Sequence, residues 1–244
     1  MNEIVVNTAG AAYRIELNRP DCGNLATMYM IGALTAALQS IGPEVKIVVI
    51  SGRGKDFCRG RDYQTAPESS ASGAAAPSAL KIRATMTGPM MTLYTTLREL
   101  PVPTLSLVQG AAYGFGCALA GACDMTIAAE SARFRLPEMS RGLPPTLAMS
   151  ALADRIPART IGYMVYSTAE LDARGALAVG LANDVVPDAE LESRAAELVE
   201  CVGGQPIGAV RTVKEYLRAA ASMPDAARGG FAESLFAAAV SSRS

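Results

Sequence analysis

A short and almost uninterrupted apolar segment at residues 45–51, VKIVVIS, limits the folds that this chain can adopt. Strands that are apolar on both faces are typical of parallel sheets, in which helices cover both sides. Two further strands are predicted at residues 104–108 and 124–129, and residues 79–100 have the three- and four-residue apolar spacing of a helix. This alternation of strand and helix predicts an α/β fold built on a parallel sheet.

The remaining strands and helices are predicted from β-branched or alternating apolar residues and from apolar residues three and four positions apart, respectively. Strands are predicted at residues 4–6 and 12–17 with a turn at 7–10, and helices at residues 28–38, 117–122, 173–181, 190–202 and 206–221. A chain of 244 residues, half of them apolar, can bury one sizeable core but is short for two full-sized domains. We expect a core domain over residues 1–195 and a helical C-terminal region over residues 196–244.

The distribution of charge indicates which partners the protein can bind, and the cysteines indicate the redox compartment in which it functions. The formal net charge is -1, from 22 basic and 23 acidic residues scattered along the chain, so no basic block is available to bind nucleic acid. The five cysteines are odd in number and irregularly spaced, which predicts a reducing compartment rather than a disulfide framework. The first residues lack the basic and apolar regions of a secretory signal, so we expect a cytoplasmic protein.

The uncharged segment at residues 101–123 is long enough to cross a bilayer. However, Pro101, Pro103, Gln109 and four glycines divide it into strand, turn and helix. We therefore interpret it as buried α/β structure, and we expect no membrane association.

The chain contains no histidine, which excludes whole classes of chemistry. Catalytic Ser-His-Asp and Cys-His arrangements are ruled out, as are metal sites that use imidazole ligands. The carboxylates are not spaced as in an EF-hand loop, and we expect no metal. Any general base must be a carboxylate, a lysine, a tyrosine or a cysteine.

Glycine-rich turns follow two of the predicted strands, at residues 52–54 and 110–116. The second does not fit the dinucleotide fingerprint, since Leu119 occupies its third glycine position, and the first lacks the spacing of a P-loop. Free amides at the start of a helix near Phe115 could hold an anion, although such glycines can also serve only close packing. The Ala/Ser/Gly/Pro-rich segment at residues 64–77 is interpreted as a mobile loop that could act as a lid.

Several short motifs occur in a fixed order along the chain. They are LNRP at residues 17–20 with Asn24 and Leu25, FCRGRD at 57–62, GAAYGFGCALAGACD at 110–124, and ARF at 132–134 with LPE at 136–138 and Gly142. With residues 173–181 and 185–187, they make residues 12–216 resemble the enoyl-CoA hydratase/isomerase family, the crotonases. The resemblance implies a crotonase-like superhelix of ββα units with a helical C-terminal region, assembled into homotrimers or hexamers. It also implies an acyl-CoA substrate and no separate cofactor, since CoA is part of the substrate.

Taken residue by residue, the resemblance implies a site made of main-chain amides and one carboxylate. The two N–H groups of the family's oxyanion hole fall on Arg61 and Phe115, and its second catalytic glutamate falls on Glu138. Hydratases of the family usually carry their first glutamate where this chain has Ala118. The residues implied to contact the substrate are Phe57, Arg59, Gly60, Asp62, Gly114, Gly116 and Ala118.

A single carboxylate favours an isomerase, because one base can remove a proton and return it to another carbon. An atypical hydratase would need a hydroxyl or backbone group to hold the water. The LPPT sequence at residues 143–146 lacks the glycine pair of typical hydratases and does not decide between the two. A catalytically silent acyl-CoA-binding homologue is the alternative, suggested by Ala118 and Phe115.

Three aspects of the site stay open from the residues alone. The Phe115 side chain either points away from the thioester or closes the site. Glu138 is either the acid/base group or a capping or ion-paired acid, and Arg141, three residues further on, would lower its pKa. Tyr113 and Asp62 are expected to be structural rather than catalytic.

Overall fold

The computed structural model describes residues 2–63 and 77–241, and the predicted lid at residues 64–77 lies outside this range except for Pro77. The strands are β1 (Ile4–Ala9), β2 (Ala12–Leu17), β3 (Ile47–Gly52), β4 (Thr104–Val108), β5 (Ala111–Tyr113), β6 (Met125–Ala129), β7 (Arg133–Arg135), β8 (Glu170–Asp172) and β9 (Asp184–Val186). The helices are α1 (Met28–Gln39), α2 (Ala79–Ile82), α3 (Gly88–Glu99), α4 (Phe115–Ala122), α5 (Thr146–Leu152), α6 (Ala158–Ser167), α7 (Ala173–Ala178), α8 (Leu191–Gly203), α9 (Ile207–Ala220) and α10 (Asp225–Ser241).

A six-stranded sheet with the order β1-β2-β3-β4-β6-β9 forms the centre of the molecule. Strands β1 and β2 are an antiparallel hairpin, and every later pairing in this sheet is parallel. The register places Ile15 beside Ile50, Ile50 beside Ser106, and Ser106 beside Thr126. The predicted α/β fold with a parallel sheet is therefore confirmed. A second, three-stranded sheet, β5-β7-β8, lies beside it.

Both faces of the sheet are covered, as the apolar run in β3 predicts. Val48 and Ile50 point into the larger core, which contains residues of α1, α3 and α4. Ile47 and Val49 point the other way, into a smaller core that includes Leu191 of α8. Because side chains alternate along a strand, a strand buried on both faces needs apolar residues at every position.

The single helix predicted at residues 79–100 is interrupted by a π-helical turn at Arg83–Thr87. Within this turn the Gly88 amide donates to the carbonyl of Arg83, five residues back. Pro89 follows directly and has no N–H, so it cannot make the next α-helical hydrogen bond. The widened turn separates α2 from α3.

Two other helix boundaries differ from the prediction for reasons that involve glycine. Helix α4 begins at Phe115 rather than at residue 117, because Gly114 takes a positive φ of 52° that directs the chain into the helix at once. Helix α7 ends at Ala178 rather than at residue 181, and Gly180 with φ 81° continues the turn into β9.

The C-terminal part of the chain consists of α8, α9 and α10. The boundary proposed between residues 195 and 196 falls inside α8, and the division into two regions stays a prediction. Helices α9 and α10 expose apolar side chains, namely Val213, Leu217, Phe236 and Val240. The homotrimeric or hexameric assembly also stays a prediction.

An ion pair connects α9 to the central sheet. Lys214 is only 5% exposed, and its Nζ donates to both carboxylate oxygens of Asp124, at 2.7 and 2.6 Å. The same carboxylate accepts hydrogen bonds from the N–H and the hydroxyl of Thr104, at 2.8 and 2.9 Å. Asp124 therefore connects the starts of β4 and β6 with a C-terminal helix.

The uncharged segment at residues 101–123 contains β4, β5 and α4, so its interpretation as strand, turn and helix is confirmed. In the part of the chain that the structure describes, every helix is too short or too polar to span a bilayer.

Candidate active site

The chain after β3 runs between two neighbours that fix its position. On one side Cys58 pairs with β5: its N–H donates to Ala111 at 2.9 Å, and its carbonyl accepts from the N–H of Tyr113 at 2.9 Å. Helix α4 packs so closely here that a Cβ on Gly116 would lie 2.1 Å from the Cys58 carbonyl oxygen. The glycine at position 116 thus brings the first turn of α4 against the segment that carries Arg61.

On the other side the segment forms a short bridge with Ala26. The Ala26 N–H donates to the Gly60 carbonyl at 2.9 Å, and the Asp62 N–H donates to the Ala26 carbonyl at 2.9 Å. In such a bridge the amide of the intervening residue points away from the partner strand. The Arg61 N–H has no hydrogen-bond acceptor within residues 2–63 and 77–241. Gly60 makes this path possible with a φ of +117°, which L residues rarely adopt.

The second amide belongs to Phe115, the first residue of α4. Gly114 precedes it, and the Gly114 N–H is occupied by the Arg135 carbonyl at 2.8 Å. The first amides of a helix have no intrahelical acceptor, and the Phe115 N–H finds none elsewhere in the described residues. The positive end of the α4 dipole lies at this amide.

The Phe115 ring does not fill the space in front of its own amide. It stacks on Tyr94 of α3, with ring centroids 6.4 Å apart and an angle of 26° between the planes. A cavity of about 310 Å³ remains beside it, and both rings contribute to the cavity wall.

Glu138 lies in the same cavity at the start of a 3-10 turn, Glu138–Arg141, which ends at Gly142 in the left-handed conformation. Its Oε2 atom is buried and has no hydrogen-bond partner among the described residues. Burial raises the pKa of this carboxyl, while a backbone hydrogen bond and the charge of Arg141 act in the opposite direction. The predicted effect of Arg141 is therefore present, but burial outweighs it.

The structure brings together six of the predicted site residues. The cavity is lined by Arg59, Gly60, Arg61, Gly114, Phe115 and Glu138. Gly114 lies close to the Glu138 carboxylate, since a Cβ at position 114 would lie 2.5 Å from Oε1.

Four residues expected to contact the substrate are placed elsewhere. The Phe57 side chain is 0% exposed and belongs to the hydrophobic core, because it follows β3 directly into the interior. Gly116 and Ala118 are buried within α4. The Asp62 carboxylate forms an ion pair with Arg19 at 3.0 Å. None of these four residues lines the cavity.

Tyr113 also lies outside the cavity wall, as expected of a structural residue. Its hydroxyl donates to Glu170 at 2.5 Å, which connects β5 to β8 in the smaller sheet. Burial and the hydrogen bond to Glu170 raise the pKa of Tyr113 to about 12.

Sequence reasoning missed two tyrosines of the site. Tyr94 lines the cavity from α3, where the apolar periodicity predicts a helix but says nothing of a polar group. Tyr63 lies at the cavity mouth, where Arg61 and Arg141 pack over its ring at 4.6 and 5.4 Å from the centroid. Arg61 is close to Tyr63 in sequence, but Arg141 and Tyr94 reach the cavity from distant segments, and no local motif marks those contacts.

Within the described ranges, no three Cys, Asp or Glu side chains are grouped so that they could hold a metal ion. The functional groups that the described lining residues offer include main-chain amides, one carboxyl group, tyrosine and threonine hydroxyls, and arginines.

Gly114→Ala is expected to damage both stability and activity. The new Cβ would be forced into the positive-φ region and towards Glu138 Oε1. We expect the free energy of unfolding to fall by about 1–3 kcal/mol and turnover to fall at least ~10-fold, because the carboxylate is displaced. Urea denaturation and steady-state kinetics measure the two effects.

Gly10→Ala is the matched control, since Gly10 has φ +58° but no atom of residues 2–63 and 77–241 lies within 4 Å of the added Cβ. It should reproduce the loss of stability without the loss of activity. Equal activity of the Gly114 variant and the wild type would refute the assigned contact between residue 114 and the carboxylate.

Comparisons with known proteins identify the family and the fold. A family model described as enoyl-CoA hydratase/isomerase matches residues 7–244. Carnitinyl-CoA dehydratase of Proteus mirabilis is 30% identical over 222 residues, which cover 89% of this chain and 81% of that protein. A probable enoyl-CoA hydratase of Rhodobacter capsulatus is 32% identical over 216 residues, covering 86% and 79% of the two chains.

Among solved structures, a putative enoyl-CoA hydratase from Thermobifida fusca in complex with CoA superposes with a TM-score of 0.89. It is 26% identical, and the match covers 98% of this chain and 93% of that one. The crotonase-like fold with a helical C-terminal region is confirmed by this likeness. The chain belongs to the enoyl-CoA hydratase/isomerase family, the crotonases.

Proposed function

We propose that this protein acts on an acyl-CoA thioester by forming its enolate, with Glu138 moving the proton. In this proposal the thioester oxygen accepts hydrogen bonds from the N–H groups of Arg61 and Phe115. One observation carries the proposal: two amides and a carboxylate oxygen, none of which has a hydrogen-bond partner among the described residues, belong to residues that line a single cavity.

The two amides would stabilise the charge that develops on the oxygen when the α-proton leaves. Preorganised backbone donors of this kind are each worth about 2.7–4 kcal/mol in the transition state. The dipole of α4 adds to this at Phe115, and the eight residues of that helix are all buried, which holds the donor in place.

Glu138 is the only carboxylate that the described residues place in the cavity wall, and the position of a second family glutamate is occupied by Ala118. A raised pKa brings a carboxyl group closer to the value at which it can both accept and release a proton near neutral pH. Migration of the double bond and addition of water both fit one such group, the latter if a second polar group holds the water.

The substrate would enter with its CoA portion near Arg59 and Gly60 at the mouth of the cavity. A CoA complex of a relative with the same fold supports this choice of carrier. The proposal requires no other cofactor. The free cysteines remain consistent with a reducing compartment, and we propose the cytoplasm.

A catalytically silent acyl-CoA binder is the alternative, favoured by the absence of a carboxylate at Ala118. The cavity beside the Phe115 ring supports the active enzyme instead, because the ring leaves room for an acyl group. Turnover in place of mere binding distinguishes the two.

The pH dependence of α-proton removal follows from the raised pKa of Glu138. The base is the ionised form, so the rate should rise with pH through a midpoint above about 4.3, the value of an ordinary glutamate. Arg141→Met removes the positive charge that lowers this pKa, and the midpoint should move to higher pH. Deuterium exchange measured across a pH series tests this.

Arg174→Met, on the exposed face of α7, is the control and should leave the midpoint unchanged. A midpoint that moves to lower pH in the Arg141 variant would contradict the assigned electrostatics. The free energy of unfolding depends on pH in the opposite direction: the contribution of Glu138 to it falls as the pH rises, whereas the rate of proton removal increases. Glu138 contributes most to folding when protonated, and its contribution is lost as the pH rises through the folded-state pKa.

The experiment for the proposed function is mass spectrometry of acyl-CoA thioesters incubated with the protein in heavy water. The panel contains 2-enoyl, 3-enoyl and saturated acyl-CoAs. Deuterium uptake at the α-carbon supports enolate formation, and addition of water or movement of the double bond then identifies the reaction. Binding of thioesters without any deuterium uptake would favour the silent binder.

A further inference from the structure

The Tyr94 hydroxyl has no assigned role and is an unusual group for its surroundings. The residue is 2% exposed, its Oη atom is buried, and no atom of the described residues hydrogen-bonds to it. Leaving a buried polar group unpaired costs about 1–3 kcal/mol. Phenylalanine would fit the same apolar position of α3 without this cost.

Tyr94 also lines the same cavity as the proposed reactive groups. The ring of Tyr94 stacks on Phe115, whose amide is one of the two proposed oxyanion donors. Glu138 is among the groups whose negative charge raises the pKa of the Tyr94 phenol, although burial contributes most. The phenol therefore keeps its proton at neutral pH and can donate a hydrogen bond.

The Tyr94 hydroxyl is one of two buried polar atoms in the cavity-lining residues that lack a hydrogen-bond partner in the described structure. Tyr94 Oη and Glu138 Oε2 are both buried and both without a partner among the described residues. One is a hydrogen-bond donor and the other, when ionised, an acceptor. A water molecule placed between them would accept a hydrogen bond from the first and donate one to the second.

We propose that Tyr94 and Glu138 together hold the water molecule that adds to the double bond of an enoyl-CoA, so that the enzyme is a hydratase. Tyr94 then supplies the second polar group that is absent at Ala118. This inference rests on the proposed function, and it decides between the two reactions which that proposal leaves open.

The step is balanced without any oxidant or reductant. The water oxygen forms a bond to Cβ, and the electron pair of the double bond moves to Cα and the thioester oxygen as an enolate. One water proton passes to the Glu138 carboxylate, which then delivers it to Cα and restores the thioester carbonyl. In the reverse direction, Glu138 takes the proton from Cα and passes it to the departing oxygen, which leaves as water while accepting a hydrogen bond from the Tyr94 O–H.

Tyr94→Phe tests the inference, because it keeps the ring that stacks on Phe115 and removes only the hydroxyl. We expect kcat/KM for hydration to fall ~100-fold, and the deuterium exchange rate of a saturated acyl-CoA to change less than ~3-fold. The melting temperature should not fall, since the hydroxyl makes no hydrogen bond to the described protein. Tyr29→Phe, on the 66% exposed Tyr29 of α1, is the matched control.

A binding experiment separates this role from a structural one. The 3-hydroxyl of a 3-hydroxyacyl-CoA occupies the position of the added water. Calorimetry should show that the wild type binds 3-hydroxybutyryl-CoA ~10-fold more tightly than butyryl-CoA, a preference that Tyr94→Phe abolishes. A purely structural residue would change the affinity for both thioesters alike.

The inference is overturned if Tyr94→Phe hydrates at the wild-type rate, or if the wild type exchanges α-protons but never adds water. Failure of the underlying proposal looks different: the wild type would then bind acyl-CoA without exchanging the α-proton at all. That outcome would remove both proposals together.

Discussion

Glu138→Gln is expected to lower the rate of α-proton exchange by about 10²–10⁴-fold, while the affinity for acyl-CoA changes little. The amide has nearly the same shape as the carboxylate but cannot accept a proton. Because Glu138 Oε2 makes no hydrogen bond within the described protein, the substitution breaks no internal contact of that atom. Deuterium exchange rates and calorimetric titration with a saturated acyl-CoA measure the two quantities.

Glu130→Gln provides the control, since Glu130 is exposed at the end of β6 and does not line the cavity. It should match the wild type in both measurements. An unchanged exchange rate in the Glu138 variant would show that another group moves the proton, and the assignment of the acid/base role would be wrong.

Asp124→Ala is expected to reduce the free energy of unfolding by about 3–5 kcal/mol, because it leaves the buried Lys214 ammonium without its counter-ion. The lysine is 5% exposed and bonds to both oxygens of this carboxylate. The variant also loses the hydrogen bonds from Thr104 that connect β4 to β6. Guanidinium denaturation followed by circular dichroism measures the loss.

The exposed ion pair between Arg14 and Glu192 serves as the comparison. Its atoms lie 3.0 Å apart, but the glutamate side chain is 67% exposed, and Glu192→Ala should cost less than about 1 kcal/mol because solvent screens the pair. A loss of similar size in both variants would show that burial does not strengthen the Asp124 pair.

The fold was predictable because its cause lies in local patterns. The run VKIVVIS is apolar at every position, and the structure shows why, with Val48 and Ile47 pointing into cores on opposite faces of the sheet. Helix starts and ends were less predictable where glycine or proline intervened. The π-helical turn at Arg83–Thr87 depends on hydrogen bonds that apolar spacing does not reveal.

The site was predictable where a group depends on the backbone of consecutive residues, and unpredictable where it depends on tertiary packing. Glycine turns mark the positions of Arg61 and Phe115 because unusual backbone angles at Gly60 and Gly114 leave those amides without an acceptor among the described residues. A motif can carry such information, since it concerns consecutive residues. The raised pKa of Glu138 could not be inferred, because it depends on burial by other elements as well as on the nearby Arg141.

Phe57 shows that a residue of a family motif need not line the cavity. It lies within the FCRGRD motif, but its side chain is completely buried while Arg59 and Gly60 line the cavity. Membership of the motif therefore does not show which side chains turn into the core and which line the cavity. Tyr94 reaches the cavity from helix α3, and only the tertiary structure shows that its hydroxyl has no partner in the described part of the chain.

The central claim is that the thioester oxygen lies between two main-chain amides with Glu138 beside the α-carbon. A crystal structure of the Glu138→Gln variant with a saturated acyl-CoA tests this most directly. The account predicts the thioester oxygen at about 2.7–3.1 Å from the nitrogens of both Arg61 and Phe115, with Cα facing the side chain of residue 138. A thioester bound outside this cavity, or one whose oxygen contacts neither amide, would contradict it.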